Sequence, residues 1–344
     1  GTTVRLEGRG AVLLGVTVDG SGGRFDLLDA AVHVSGADAR VEGVHVRNAT
    51  FGILVERAER ATLLRNLVVG KRALPFGLRG DGIRLWEAHD CRIEENVVSD
   101  SRDMVLWYAS RNRVRANRVE AGRYGAHLMY SHDNEIAGNR FVANVTGVFL
   151  MYSRNVDVRR NLFAASGGAA GIGLGIKESG NLRVVDNAFV RDSVGIYIDA
   201  SPLWPDDRNL FERNVFHLND VSVSFLTSQG QSEFTDNDFH DARMTVEVSG
   251  GGDARKLRWQ GNYFDDYAGY DLDRDGVGDV AYELRSLASD LISERPALAF
   301  YRGTPALVLA ETIGRIVPVV EPRVLLVDPA PRMSGRAWGG DGAD

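Results

Sequence analysis

At 344 residues and 44% hydrophobic the chain can bury a large core, and 39 glycines against 9 prolines describe a turn-rich fold rather than a disordered one. Its 47 acidic and 40 basic residues are spread along the sequence for a net charge of −7, so no basic stripe is available to neutralise phosphates and nucleic acid is excluded as a partner. Cys91 stands alone, which excludes an intrachain disulfide and a thiolate zinc cluster but leaves the redox compartment open, and no apolar run approaches the roughly 18 residues that signal a membrane span.

No charged n-region with an apolar stretch precedes Gly1, as expected of a processed or trimmed product. From residue 66 onward one asparagine recurs, at Asn66, Asn96, Asn117, Asn139, Asn161, Asn187, Asn214, Asn237 and Asn262, in steps of 30, 21, 22, 22, 26, 27, 23 and 25 residues. Three units align closely: Gly82-Ile-Arg-Leu through Asn96, Gly125-Ala-His-Leu through Asn139, and Gly147-Val-Phe-Leu through Asn161, each with 14 residues from glycine to asparagine. Within a unit apolar residues alternate with polar ones, as in Ile83 and Leu85, Val148 and Leu150, or Ile196 and Ile198. A second inward position precedes the asparagine (Ile93, Val114, Ile136, Val158) and a third follows it (Val97, Val119, Phe141, Phe163, Phe189, Phe239), which makes three short strands per unit.

Such a unit cannot bury its apolar face alone, so neighbours stack about 4.8 Å apart through parallel ladders. The expected fold is all-β: a right-handed parallel β-helix of about ten rungs over residues 1–265, roughly 50 Å long. The asparagines are expected to stack at a tight corner, where they tolerate left-handed backbone angles and bond the adjacent coil. Steps longer than 23 mark loops leaving the rod at Gly70 to Arg79, Gly167 to Gly171, and Pro202 to Asp207.

Stacking also places equal offsets from each glycine, or from Asp103 in its place, in columns. The second position reads Arg84, Val105, His127, Phe149; the fourth Trp86, Trp107, Met129, Met151; the fifth Glu87, Tyr108, Tyr130, Tyr152, Glu178. Alternation turns the second and fourth outward, so an exposed apolar strip is expected, with Trp86, Trp107, Tyr108, Tyr130, Phe149 and Tyr152 as an interaction surface. His127, Met129 and Met151 fall within one coil spacing, and an imidazole beside two thioethers is a soft donor set suited to Cu(I) and poorly suited to calcium or magnesium. His132 shares the seventh position with His89 and joins the copper candidates; the bland reading is that these side chains are covered and the histidine merely hydrogen-bonded. His33, His45, His217 and His240 have no evident partner in the sequence.

Residues 266–282 contain Asp271-Leu-Asp273-Arg-Asp275-Gly276-Val277-Gly278-Asp279, with acids at positions one, three, five and nine and glycine at six, as in the first nine positions of a calcium loop. The carbonyl of Val277 completes the expected set, although Tyr282 stands where an EF-hand has glutamate; a structural calcium is expected, the alternative being an acidic turn. Over 283–334, Leu284, Leu287, Leu291 and Ile292 show helical spacing, Ala306 to Ile316 is a second apolar segment, and Pro318, Pro322, Pro329 and Pro331 punctuate an extended stretch. This region reads as a partly helical cap or docking element, and residues 335–344 as a disordered tail.

Parallel β-helices commonly act on polysaccharides, and a glycosidase needs two carboxylates about 5 to 9.5 Å apart. Glu178 and Asp199, near Lys177, are the best pair, but they occupy the fifth and fourth positions and turn apart, and no Asn-Thr-Asp or Gly-His-Gly run of the pectinase kind appears. No catalytic residue is assigned.

Two segments carry a family resemblance: His127-Leu-Met-Tyr-Ser131 followed by Phe149-Leu-Met-Tyr-Ser153, and Asn262-Tyr-Phe-Asp-Asp-Tyr-Ala-Gly-Tyr-Asp271 running on to Asp279. With Arg295-Pro296, Gly303-Thr-Pro-Ala306, Glu311 and Val327-Asp328-Pro329 in the tail, they resemble the NosD family over nearly the whole chain. The resemblance implies a periplasmic, non-catalytic accessory protein for maturation of the copper-sulfur centre of nitrous oxide reductase. Its implied partners are an ABC transporter (permease and ATPase), a copper chaperone lipoprotein and the reductase, with no direct membrane span. No copper ligand set carries over; the Met and His strip becomes the candidate for transient copper contact, and the carboxy-terminal region the candidate for docking on the transporter. The signal peptide that the resemblance implies is not part of this sequence, as expected of a processed or trimmed chain. The runner-up reading is a carbohydrate-active β-helix protein.

Overall fold

The structure is a computed structural model describing residues 1–168, 170–227, 231–249, 254–286, 304, 309 and 322–336. Three parallel sheets, each of 11 strands, run its length, and consecutive strands in the chain belong to successive sheets, so each coil supplies one strand to each. This is the expected all-β parallel β-helix, with eleven rungs, two more than the nine ladder asparagines mark. The first two coils hide because Val16 and Val44 stand where asparagine stands later, each after a left-handed glycine, Gly15 and Gly43 at φ +60° and +59°.

Strands of the second and third sheets are mostly three residues long with only the middle side chain inward, as in Arg92–Glu94, where Ile93 is buried between exposed neighbours. Those middle residues form continuous stacks. Phe141, Phe163, Phe189, Phe216, Phe239 and Phe264 lie ring on ring at 4.8 to 5.4 Å, each burying apolar area worth about 1.5–3 kcal/mol. One expected inward residue is displaced: Val98, not Val97, pairs with Val119 and is buried, because two apolar residues follow Asn96 and only the second matches the strand's period.

At the corner the asparagines stack as expected, but the left-handed residue is the one before each of them, for example Arg65, Glu95, Ala116 and Arg160 at φ +51° to +55°. Each of these costs about 1–2 kcal/mol, and the asparagine offsets that cost. The Oδ1 of Asn139 accepts from the backbone N and from Nδ2 of Asn117, both at 2.9 Å, while its Nδ2 donates to the Val114 carbonyl at 2.9 Å. The ladder ends on Asp328, whose Oδ2 accepts from the backbone N and Nδ2 of Asn262 at 2.9 and 2.8 Å. A carboxylate suits that place, since the last rung needs acceptors and has nothing further to donate to.

The loops at 70–82, 165–171 and 200–208 leave the rod where the long steps place them. The helical spacing around Leu284 misleads. Tyr282–Ser286 is a strand, antiparallel to Arg323–Asp328, in which Tyr282, Leu284 and Ser286 are buried and Glu283 and Arg285 exposed. Period two wins because Tyr282 continues the aromatic stack, 3.8 Å from Phe264. Leu287, Leu291, Ile292 and, apart from the exposed Leu309, Ala306 to Ile316 lie outside the described residues, as do 337–344; Gly335 and Arg336 are described, and Arg336 donates its backbone N–H to Asp238 at 3.1 Å. No helix among the described residues is long and apolar enough to cross a membrane.

Candidate metal and docking face

The outward columns of the first sheet are in the register the sequence implies: Arg84, Val105, His127, Phe149, Gly175 in one line and Trp86, Trp107, Met129, Met151, Lys177 in the next. The strip is less open than its composition suggests. Trp86, Trp107, Met129 and Met151 are half-buried, and Val105 and His127 are buried. Large side chains on rungs so close together cover one another: the indoles of Trp86 and Trp107 meet edge to face at 5.9 Å, and the Arg84 guanidinium lies over both rings at 5.0 and 5.3 Å.

A β-bulge between Asp103 and Val105 shifts the pairing so that Tyr124 stands opposite Asp103, with one extra residue on its strand. The bulge brings Tyr124 onto His127, the two rings stacked at 4.9 Å, while Phe149 meets the imidazole edge at 6.3 Å. Burial among these rings pushes the His127 pKa down to about 4, nearby Asp103 opposing and Arg123 reinforcing the effect. The imidazole is therefore neutral at pH 7, the form that binds metals. Trp107 Nε1–H donates to its Nδ1 at 3.3 Å, and Nε2 lies 3.3 Å from the sulfur of Met151. Neither Trp107 as a hydrogen-bond donor nor Tyr124 as a wall stands out in the sequence; the one signal is the extra residue between Asn117 and His127 relative to the preceding unit, Asn96 to Val105.

His132 does not join this group. Its Nδ1 accepts from the Arg154 backbone N–H at 3.2 Å, as His89 Nδ1 accepts from Ser110 N–H at 3.1 Å, and the two histidines support the corner after the strip. A shared offset from the glycine means a shared column, and the seventh position is already beyond the strand. On the fifth position Tyr108, Tyr130 and Tyr152 stack at 5.4 and 4.8 Å with planes only 7° and 10° apart, so their edges and hydroxyls, not their faces, meet solvent. Further along, Asp199 faces Lys177 at 3.7 Å, and Glu178 sits at the corner with φ +46°.

In the acidic loop the carboxylates of Asp271, Asp273 and Asp275 converge, with one oxygen of each within 4.8 Å of the others. Asp279 is outside that cluster and instead accepts the Leu272 N–H at 2.7 Å, closing the loop on itself. Val277 forms a bridge to Arg332, and Gly278 N–H donates to the Pro331 carbonyl at 2.8 Å, so the loop is clipped to the segment that follows Asp328.

A neutral, buried imidazole with one thioether at contact and a second in register, and no carboxylate touching it, fits a soft cation and does not fit a hard one. A family described as "Periplasmic copper-binding protein (NosD)" matches residues 65–269. Two relatives, each named "Probable ABC transporter binding protein NosD", come from Pseudomonas aeruginosa and Stutzerimonas stutzeri. The first is 29% identical over 89% of this chain and 75% of its own length, the second 24% identical over 93% and 78%. Among solved structures, an alginate lyase from Paenibacillus sp. aligns with a TM-score of 0.46 at 11% identity over 71% of this chain and 99% of its own. The catalytic unit of an α-1,3-glucanase from Streptomyces thermodiastaticus aligns with a TM-score of 0.46 at 13% identity over 76% and 64%.

Proposed function

This chain belongs to the NosD family, and on that premise we propose that it is a periplasmic accessory protein which handles copper as cargo during maturation of the copper-sulfur centre of nitrous oxide reductase. It works with an ABC transporter and receives copper from, or presents it to, a chaperone lipoprotein; it is not the catalyst. The observation that carries the reading is the neutral His127 with Nε2 3.3 Å from the Met151 sulfur, Met129 standing in register on the preceding rung. His127, Met129 and Met151 would hold the ion, while Trp86, Trp107, Phe149 and the tyrosine column offer the surrounding surface to a protein partner. Copper supplies its preference for soft donors; the protein's part is to keep the imidazole neutral and water scarce around it.

The carbohydrate reading has less support. A sugar ring stacks on an aromatic face, and the inner faces of the tyrosine column are taken up by one another; Asp199, half of the best carboxylate pair, faces Lys177. The acidic loop supports a separate proposal, a structural calcium on Asp271, Asp273 and Asp275, with Asp279 and the Val277 carbonyl as the outer members of the loop.

The test of the copper reading is anaerobic competition for Cu(I) against a chromogenic chelator. Wild type should withdraw copper at least ten-fold more effectively than the His127→Ala, Met129→Ala, Met151→Ala triple variant. Equal competition by the two removes these residues from the copper path. Capture of the transporter subunits by wild type, weakened in a variant lacking 283–344, is the expected result for carboxy-terminal docking.

A further inference from the structure

His127 is held from both sides, and the direction of one hydrogen bond decides what it can do. The indole nitrogen of Trp107 has a hydrogen and no lone pair, so in the 3.3 Å contact it must donate and Nδ1 must accept. An Nδ1 that accepts keeps its lone pair, so the ring carries its one proton on Nε2, pointing at the Met151 sulfur 3.3 Å away. In that arrangement one nitrogen is occupied by the indole and the other by hydrogen, so the imidazole has no free lone pair although it is neutral and beside thioethers.

We propose that Trp107 is a latch on His127: its indole N–H holds the imidazole in a form closed to metals, and a soft monovalent cation enters only as that hydrogen bond is released. The proposal rests on the copper reading above and adds how the site is regulated. For an ion to bind Nε2, the Nε2 proton must leave to solvent and Nδ1 must take up a proton in exchange, which leaves the ring neutral and frees the Nε2 lone pair. Nδ1–H then faces Nε1–H, two donors with no acceptor between them, and the indole has to withdraw.

The surroundings allow that movement. Trp107 is half-buried and is braced by two contacts that slide easily, the edge of Trp86 at 5.9 Å and the guanidinium of Arg84 at 5.3 Å. Arg84 and Trp86 in turn border a hollow of about 300 Å³ lined also by Leu28, Leu54, Glu56 and Arg57, into which they can give way. His127, by contrast, is fixed between Tyr124 and Phe149. The indole is the partner free to yield. Trp107 is thus a positioning residue: it touches no metal and acts by setting which nitrogen of His127 carries hydrogen. A partner that presses on the Trp86 and Trp107 edge would open the latch as it delivers its ion, coupling docking to transfer.

The experiment uses Ag(I) as a redox-silent stand-in for Cu(I) on the whole chain, with ¹⁵N NMR of the indole and imidazole nitrogens and calorimetric titration. In the metal-free protein the Trp107 Nε1–H resonance, identified by its loss in Trp107→Phe, should be protected from solvent exchange. Adding Ag(I) should shift it and speed its exchange, and should move the His127 proton from Nε2 to Nδ1. Trp107→Phe, which keeps an aromatic ring but no donor, should bind Ag(I) about five-fold more tightly, the equivalent of one net hydrogen bond no longer broken. If Ag(I) binding depends on His127 while the indole resonance does not move and Trp107→Phe binds as wild type does, the latch is overturned and the copper reading stands. If His127→Ala binds Ag(I) as well as wild type, or if none of the proteins binds it, both fall.

Discussion

The asparagine corner and the His127 strip are built by the same stacking rule, and they use it in opposite ways. Along the corner every rung repeats one bond pattern, from Asn66 to Asn262, so that each side chain both accepts from one neighbour and donates to the structure behind it. Along the column of the strip that holds His127 the contact changes from rung to rung: Arg84 lies over an indole, His127 bridges an indole and a thioether, and Phe149 packs on Tyr124. Repetition is what stability needs, since it satisfies every buried group at every rung. A site needs a contact made once, and the strip supplies it where the repeat is interrupted by a bulge.

That contrast is broken most severely in the middle of the ladder. Asn139→Ala leaves the backbone N–H of Asn117, its amide Nδ2–H and the Val114 carbonyl without partners in a dry interior. At about 1–3 kcal/mol for each of the three orphaned groups the loss is about 3–9 kcal/mol, read as a fall in the urea midpoint. Met151→Ala on the strip, half-buried beside it, should cost under about 2 kcal/mol while removing the soft donor. Similar losses at the two positions would mean that the division between a structural corner and a functional face is mistaken.

A second corner column sharpens the comparison, because one of its members does not match its neighbours. The column runs Asn144, Ser166, Asp192, Asn219; the amides of Asn144 and Asn219 donate to the Val119 and Phe189 carbonyls, while Asp192 accepts the Ser166 N–H at 2.8 Å. Its second oxygen has no partner among the described residues, and burial raises its pKa to about 7. The folded value lies above the ordinary one of 3.8, so the fold prefers the protonated acid; that contribution is complete below about pH 4 and is lost as pH rises through 7. Asp192→Asn should therefore leave stability almost unchanged at pH 4 and raise it by a few kcal/mol at pH 8, reversing the loss that three units of pKa imply. A parallel shift of the two proteins at both pH values would show that Asp192 is ionised in the fold.

Much of this division is written in the sequence, and for a physical reason: a solenoid turns sequence offsets into columns, so the spacing from Gly82 to Asn96, repeated at Gly125 and Gly147, gives the register directly. What stays hidden is whatever departs from the repeat. The first coils have Val16 and Val44 in place of asparagine, and Asp328 reaches the end of the ladder from 66 residues away. Offsets place His127 beside Met151 correctly, yet they cannot say that Trp107 donates to it, because the direction of a hydrogen bond depends on rotamers and not on register. They also mistake His132, since a column continues past the strand into a corner where the same offset serves the backbone. Leu284 misleads because five residues fit two periods, and the stacking of Tyr282 on Phe264 decides between them.

The smallest effect is expected where a third kind of region meets the ladder's end. The acidic loop is exposed and hangs on a few backbone bonds, Gly278 N–H to Pro331 and Met333 N–H to Gly276 at 2.8 and 3.0 Å, but those bonds hold the segment that follows Asp328, the residue on which the asparagine ladder closes. An ion on Asp271, Asp273 and Asp275 would bind the folded loop and not the unfolded chain, so it would stabilise the cap by mass action. Chelation of calcium should then lower the melting temperature of wild type by a few degrees and leave an Asp273→Ala, Asp275→Ala variant unaffected, because that variant has already lost the ion. Magnesium should substitute poorly, since its small octahedral shell does not suit a flexible ring of carboxylates. If chelator leaves the wild-type melting temperature where it was, the converging carboxylates are an acidic turn held by their own N–H contacts, and the cap rests on the ladder and on Tyr282 alone.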